Sequence, residues 1–230
     1  MQHDDVELGK IEDFVNLKGK HVLEIGCGDG RLSSFLAQDA ENLVAVDPDE
    51  ERIEAARQAV QGVDFRIGSG ESLEFEEDSF DIVFFGFSLH HHQDGSAAMA
   101  EAKRVLKPGG DILIIEPTLM SEYTQLVAVF QQEEPALLKK AQKAIKSFQN
   151  AISRQETFVV YHYFDAKDDF LNHYTVKYGE GMGNETSRNA LRGIIGDKLF
   201  TAPISVDDEC TITLISEDVR CHQKHHPGIG

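Results

Sequence analysis

The sequence contains no tryptophan, only three cysteines in 230 residues, and no run of about 18 apolar residues. Cys27, Cys210 and Cys221 are too few and too scattered to frame a disulfide scaffold. The missing apolar run excludes a spanning helix, so no membrane partner is expected. Basic side chains are scarce as well: 22 Lys and Arg stand against 40 Asp and Glu, a formal net charge of −18. A field of that sign repels nucleic-acid backbones and anionic surfaces, which disfavours nucleic acid as a partner. The opening MQHDDVELGK is acidic and lacks a signal-peptide core, so a cytoplasmic location is expected. The remainder is ordinary for a folded protein, with 41% hydrophobic and 27% charged residues. The length suits a single α/β domain over 1–230 carrying an insertion.

From His21 to Lys107, short β-branched runs alternate with helical stretches. HVLEIG, LVAVD, VDFRIG, DIVFFGF and DILIIEP read as five buried strands, and RLSSFLAQ, PDEERIEAARQAV and SAAMAEAKRVL as the helices between them. Such alternation predicts a mostly parallel sheet with helices on both faces. Ligands of these sheets sit at the carboxyl ends of the strands, where Gly26, Asp47, Ser69, Gly86 and Glu116 fall. Residues 119–155 read as helical, with a break at Pro135, and return to the aromatic strand TFVVYHYF. A helical stretch, a flexible GEGMGNETS and NALRGIIG follow. The runs FTAPISVDD and CTITLISED, joined by an acidic turn, read as an antiparallel hairpin over 200–218 at the sheet edge.

Three glycines, Gly26, Gly28 and Gly30, alternate in VLEIGCGDGR directly after the first strand. A dinucleotide fingerprint needs its third glycine at position 31, which is Arg31, and a phosphate loop needs a following lysine, which is absent. The turn therefore points away from phosphate. Asp47 ends the second strand about 20 residues later, where a carboxylate accepts ribose hydroxyls or caps the next helix; Asp49 is equally placed for capping.

VLEIGCGDGR, VAVDPDEERIEAA, IGSGESLEFEEDSFDIVFF, SLHHHQD and RVLKPGG, in that order, resemble a class I S-adenosylmethionine (SAM) dependent methyltransferase of the ubiquinone-type small-molecule group. The resemblance spans about residues 20–117. It implies a Rossmann-like, seven-stranded sheet, with 118–200 supplying a helical lid and acceptor pocket. It implies methyl transfer from SAM to a small molecule, leaving S-adenosylhomocysteine. A non-catalytic SAM-binding sensor or scaffold is the alternative. By position, Glu24, Gly26, Cys27 and Gly28 match the motif beside the methionine portion and ribose; Asp47 matches the ribose acid and Pro48 the apolar neighbour of adenine. Ser69, Gly70 and Glu71 match the adenine segment, with serine where many members have aspartate, and Phe85 and Gly86 match the floor under the methyl group. A chain rich in carboxylates suits this donor, which carries a sulfonium and an ammonium and no phosphate.

Methyl transfer to an amine, hydroxyl or carbon acid also needs a base. His90 and His91 lie where the family often has histidine and are the expected catalytic candidates, with packing as the competing role and His92 expected to be exposed. Three consecutive histidines cannot converge on one ion from a regular element, so no metal is expected there. Glu116 is a further candidate for orienting the acceptor. In TFVVYHYF, Tyr161 and Tyr163 share one face and His162 the other, with core packing the commoner fate of such aromatics. The tail bearing Cys221, His222, His225 and His226 is expected to be loose. The sequence leaves the acceptor and the oligomeric state open.

Overall fold

The computed structural model describes residues 3–178, 185–200 and 202–216. In chain order the elements are α1 (His3–Phe14), β1 (His21–Ile25), α2 (Ser33–Asp39), β2 (Asn42–Asp47), α3 (Glu50–Ala59), β3 (Asp64–Ile67), β4 (Phe80–Gly86), α4 (Gly95–Val105) and β5 (Leu106–Pro117). These are followed by α5 (Glu122–Ala128), α6 (Glu134–Lys146), β6 (Ile152–Phe164), α7 (Lys167–Tyr178), α8 (Glu185–Ile195) and β7 (Ile204–Ser216). The seven strands form one sheet in the order β3-β2-β1-β4-β5-β7-β6. β1 to β5 run parallel, and β7 is antiparallel to both of its neighbours.

Both faces of the parallel half are covered, as the uninterrupted apolar runs require. Alternation along the strands sends Leu23, Ile25, Val83, Phe85, Ile112 and Ile114 to one face, against Ala98, Met99 and Ala102 of α4 and Ala141 and Ala144 of α6. The other face receives Val22, Ile82, Phe84, Leu113 and Ile115, packed with Ile11 and Phe14 of α1 and Leu36 of α2. A third cluster joins Leu126, Phe164, Phe170, Tyr174, Leu191 and Val206, and so ties α5, α7 and α8 to the β6–β7 end of the sheet. Helix starts follow from local chemistry. The Asp49 side chain accepts from the backbone N–H groups of Glu51 and Arg52 at α3, and Asp94 from those of Ser96 and Ala97 at α4.

Some sequence expectations change. The break expected at Pro135 falls just before it, between α5 and α6, and Pro135 itself stands in the first turn of α6, where a missing N–H costs nothing. The antiparallel C-terminal element is present as the β6–β7 pair, but the runs at 200–208 and 210–218 do not form a hairpin by themselves. Within the described residues, 204–216 are one strand. Its inward–outward alternation passes unbroken through Asp207, Asp208 and Glu209, with Asp208 buried. Tyr161 and Tyr163 do share a face, but it is the outer one, 49% and 61% exposed, and not core. Of the stretch expected to be flexible, 179–184 lie outside the described residues and 185–187 begin α8. The histidine-rich tail also lies outside them. Among the described residues no helix is long and apolar enough to cross a membrane.

The two aromatic environments make a direct comparison. Phe84→Ala empties a site that is 1% exposed, and should cost about 3 to 5 kcal/mol in urea unfolding. Tyr163→Ala should stay within about 0.5 kcal/mol of the parent. Similar losses at both positions would contradict the assigned faces.

Candidate active site

The strand order reverses at β1, which has β2 on one side and β4 on the other, and the crevice above this point is where open α/β sheets bind ligands. A cavity of about 1070 Å³ lies there. It starts at the turn after β1. Gly26 (φ +78°) and Gly28 (φ +55°) adopt left-handed conformations that side chains disfavour, and a Cβ on Gly26 would lie 2.4 Å from the Cβ of Ser88. The Gly26 and Cys27 N–H groups donate to the Val46 carbonyl at 2.8 and 3.1 Å, so the turn is fastened to β2.

Asp47 completes that fastening. Its Oδ2 accepts from the Gly28 N–H at 2.9 Å and its Oδ1 from the Asp49 N–H at 3.0 Å. The cap of α3 is Asp49, not Asp47. A carboxylate has about four acceptor sites, so Asp47 keeps two for a ligand. The Gly28 N–H, one that a pyrophosphate would need, is already given to a carboxylate, and Glu24, Asp29 and Asp47 surround the turn. The geometry thus agrees with the spacing argument against phosphate.

Glu24 is 2% exposed and accepts from the Ser33 hydroxyl at 2.5 Å. Burial pushes its pKa up to about 7, against the lowering effect of Ser33 and of Arg31. Cys27 is a buried free thiol whose pKa is raised by desolvation and by the nearby Glu24 and Asp47 carboxylates. Pro48 and the Ser69–Glu71 segment lie along the same wall. The Ser69 hydroxyl accepts from the Glu71 N–H at 3.3 Å, and Glu71 accepts from the Asp94 N–H at 3.0 Å, bracing the segment against the start of α4. Gly70 is closely approached: an added Cβ would meet His92 Nε2 at 2.4 Å.

Of the cofactor-site and histidine candidates from sequence, Phe85 alone is absent from the cavity wall; Glu116, the candidate for orienting the acceptor, is absent too and is buried against His90. Strand alternation turns the Phe85 ring into the face covered by α4 and α6, where it is fully buried, and the floor is formed instead by Gly86 and Phe87. His92 is half-buried rather than exposed. Its Nδ1–H donates to the Ser88 carbonyl at 3.0 Å, and its ring meets the edge of Phe85.

The three histidines diverge. His90, on a 3-10 turn at Leu89–His91, points inward and is 4% exposed. Its Nδ1 donates to Glu116 Oε2 at 2.5 Å, and its Nε2 lies 3.4 Å from Glu134 Oε1. Glu116 also receives the Leu89 N–H at 2.9 Å, which fixes the turn to the end of β5. Burial alone would lower the His90 pKa, but the Glu116 carboxylate, with Glu134 adding to it, holds it above the ordinary value. Burial raises the pKa of Glu134, against the pull of His90. His91 stands at the cavity wall with its outer edge in solvent. Partial desolvation, then the positive fields of His90 and Arg52, lower it to about 4, so it is neutral at physiological pH.

Beyond this array the wall is made by Pro117, Tyr123, Thr124, Val127, Gln131, Glu134, His162 and Asp208. Tyr123 and His162 stack, with ring centroids 4.6 Å apart. Asp208 is 7% exposed, accepts from the Ser121 hydroxyl at 3.1 Å and lies 3.5 Å from His162 Nε2. Glu7 of α1 pairs with Arg31 at 2.6 Å. Sequence reasoning missed Glu7, Tyr123, Glu134 and Asp208, none of which lies in a motif.

Residues 23–114 match the family model described as a methyltransferase domain. Over this segment the chain is similar to methyltransferase domains, as the motifs between β1 and β5 imply. Among curated relatives, the chain is 30% identical over 159 residues to a demethylmenaquinone methyltransferase of Lactococcus lactis, covering 64% of this chain and 63% of that one. It is 36% identical over 112 residues to a ubiquinone biosynthesis O-methyltransferase of Hahella chejuensis, covering 46% and 47%. The matched part thus spans about half to under two thirds of those relatives' length. In structure, the chain is similar to a Bacillus subtilis protein (TM-score 0.66, 20% identity, 93% of this chain and 98% of that one) and to a putative methyltransferase of Bacillus halodurans (TM-score 0.64, 18% identity, 93% and 98%), which bears on the fold.

The cofactor of this methyltransferase domain is SAM, and the cavity fits it. The turn offers acceptors rather than anion-binding donors, and the missing Cβ atoms of Gly26 and Gly70 let the cavity wall close against Ser88, Ile25 and His92.

Glu24 generates a test. Its folded pKa of about 7 exceeds the ordinary 4.5, so the folded state binds the extra proton between those values, and stability falls as pH rises through that window. Relative to Glu24→Gln, the ligand-free wild type should lose on the order of 3 kcal/mol between about pH 4.5 and 7, read by denaturant unfolding. Parallel pH profiles would show that Glu24 is solvated.

Proposed function

We propose that the protein transfers the methyl group of SAM to a small-molecule acceptor, leaving S-adenosylhomocysteine. The observation that carries this reading is the Asp47 carboxylate, oriented by the Gly28 and Asp49 N–H groups with its remaining lone pairs available at the cavity. In this reading those lone pairs accept the ribose hydroxyls. Glu24 and the Gly26–Gly28 backbone serve the methionine end, Pro48 and Ser69–Glu71 the adenine, and Gly86 the floor. A neutral serine at position 69 is a weaker partner than a charged one for the adenine amino group.

When bound, SAM supplies an activated methyl group on a good leaving group. The protein's share is alignment, exclusion of water and handling of the acceptor's proton. α5 and α6, within the proposed lid and acceptor region at 118–200, close the side of the cavity away from the glycine turn. His90 has carboxylates at both ring nitrogens, so we assign it a positioning role: it ties the end of β5 to the start of α6. His91, neutral at pH 7, is the histidine able to take a proton, although its low pKa makes it a weak base. The cavity continues past the cofactor end to a wall of polar groups, which a non-catalytic SAM scaffold has no need of.

S-adenosylhomocysteine should raise the melting temperature, and NAD should not, because a ligand of the native state stabilises it in proportion to its affinity. Asp47→Ala should weaken S-adenosylhomocysteine binding by about 1 to 3 kcal/mol in calorimetry. Unchanged affinity removes the ribose assignment, and stabilisation by NAD removes the cofactor.

A further inference from the structure

The acceptor end of the cavity has a charge pattern that selects among small molecules. Along the whole wall, eight carboxylate side chains face two arginines, and none of the described residues lining it is a lysine. Arg31 is engaged by Glu7 at 2.6 Å, and Arg52 lies 3.8 Å from Asp49. Arg52 stands beside Gly28, at the glycine turn rather than at the Glu134 and Asp208 wall. At the acceptor end, two carboxylates are held largely out of water. Glu134 has a side chain 9% exposed, and its partner among the described residues is His90 Nε2 at 3.4 Å. Asp208 has a side chain 10% exposed and meets the neutral Ser121 hydroxyl and His162.

The charges at His90 do not cancel. One imidazole lies between Glu116 and Glu134, so even when it is protonated the three groups carry a net −1 with both carboxylates ionised. A buried charge without a compensating partner is costly, and a cation delivered by a ligand removes that cost. On the same wall as the two acids, the stacked Tyr123 and His162 rings and Val127 add an aromatic and apolar surface. Aromatic faces attract ammonium groups.

We infer that the acceptor is a small molecule carrying a protonated primary or secondary amine, held by Asp208 and the Tyr123–His162 stack, with Glu134 as the base that frees the nitrogen. This rests on the methyl-transfer reading above and deepens it. The steps balance. An N–H proton of the ammonium passes to a Glu134 carboxylate oxygen. The released nitrogen lone pair forms the N–C bond to the methyl carbon as the C–S bond breaks, with its electron pair left on sulfur. The product is a methylated ammonium, and Glu134 returns its proton to solvent. The His90 imidazolium beside it, anchored by Glu116, keeps Glu134 from holding that proton too firmly.

The test is calorimetric, with the full chain saturated by S-adenosylhomocysteine and three probes of one shape: phenethylamine, 2-phenylethanol and 3-phenylpropionate. Phenethylamine should bind at least about tenfold more tightly than either of the others. Asp208→Asn and Glu134→Gln should each reduce that preference severalfold while leaving S-adenosylhomocysteine affinity unchanged, which also shows that the variants are folded. Equal or reversed preference, no binding by any probe, or variants that keep the preference would each overturn the amine assignment and leave methyl transfer standing. Failure of S-adenosylhomocysteine itself to bind would overturn the methyl-transfer reading, and the amine assignment with it.

Discussion

Asp47 ties together parts of the chain that would otherwise move independently. Its two oxygens accept the N–H of Gly28 from the turn after β1 and the N–H of Asp49 at the entrance to α3. The turn can follow this path because Gly26 and Gly28 adopt positive φ, and it can press against Ser88 because Gly26 has no Cβ. Ser88 in turn donates from its hydroxyl to the Ile25 carbonyl at 2.5 Å and starts the 3-10 turn that carries His90. The cofactor end and the His90 array are therefore linked through a short chain of direct contacts across β2, β1 and β4.

The proposed acceptor end is built on a different principle. Charged groups are placed in low-dielectric surroundings where they cannot satisfy one another completely. Such an arrangement lowers stability in the empty protein, because several carboxylates are held away from water. It also stores recognition: a ligand of matching charge gains more there than it would at an exposed carboxylate pair. Glu116, His90 and Glu134 come from β5, the 3-10 turn and α6. Their relative positions depend on how α6 packs against the sheet through Ala141, Ala144 and Ile145.

The residues of the proposed cofactor half could be gathered from the sequence because their determinants are local. The glycine spacing, Asp47 at a strand end and the segment at 69–71 each declare themselves within a few residues, and the fold places all of them on one cavity. Phe85 was misplaced by one step of strand alternation: position 86 opens to the ligand and position 85 does not. The acceptor half was mostly illegible because its members meet across long separations, as His90 with Glu134 and His162 with Asp208 do. Asp208 was hidden for a specific reason. Three acidic residues in succession read as a turn, yet β7 continues straight through them. Asp207 is satisfied on the outer side by the Glu122 N–H at 3.3 Å, and Glu209 by the Thr118 hydroxyl at 2.7 Å. Misreading that strand as a hairpin and missing a cavity acid were one error.

The position of β7 between β5 and β6 has a bearing on how such a pocket adapts. Asp208 is mounted on a strand hydrogen-bonded on both flanks, while Tyr123, Val127, Gln131 and Glu134 come from short helices and the link between them. A rigid anchor for charge thus faces a wall whose shape is set by replaceable helical turns. On the proposed reading, changes in α5 and α6 around Tyr123 and Glu134 can alter the size and contour of the accepted molecule, while the Asp208 anchor stays built into the sheet.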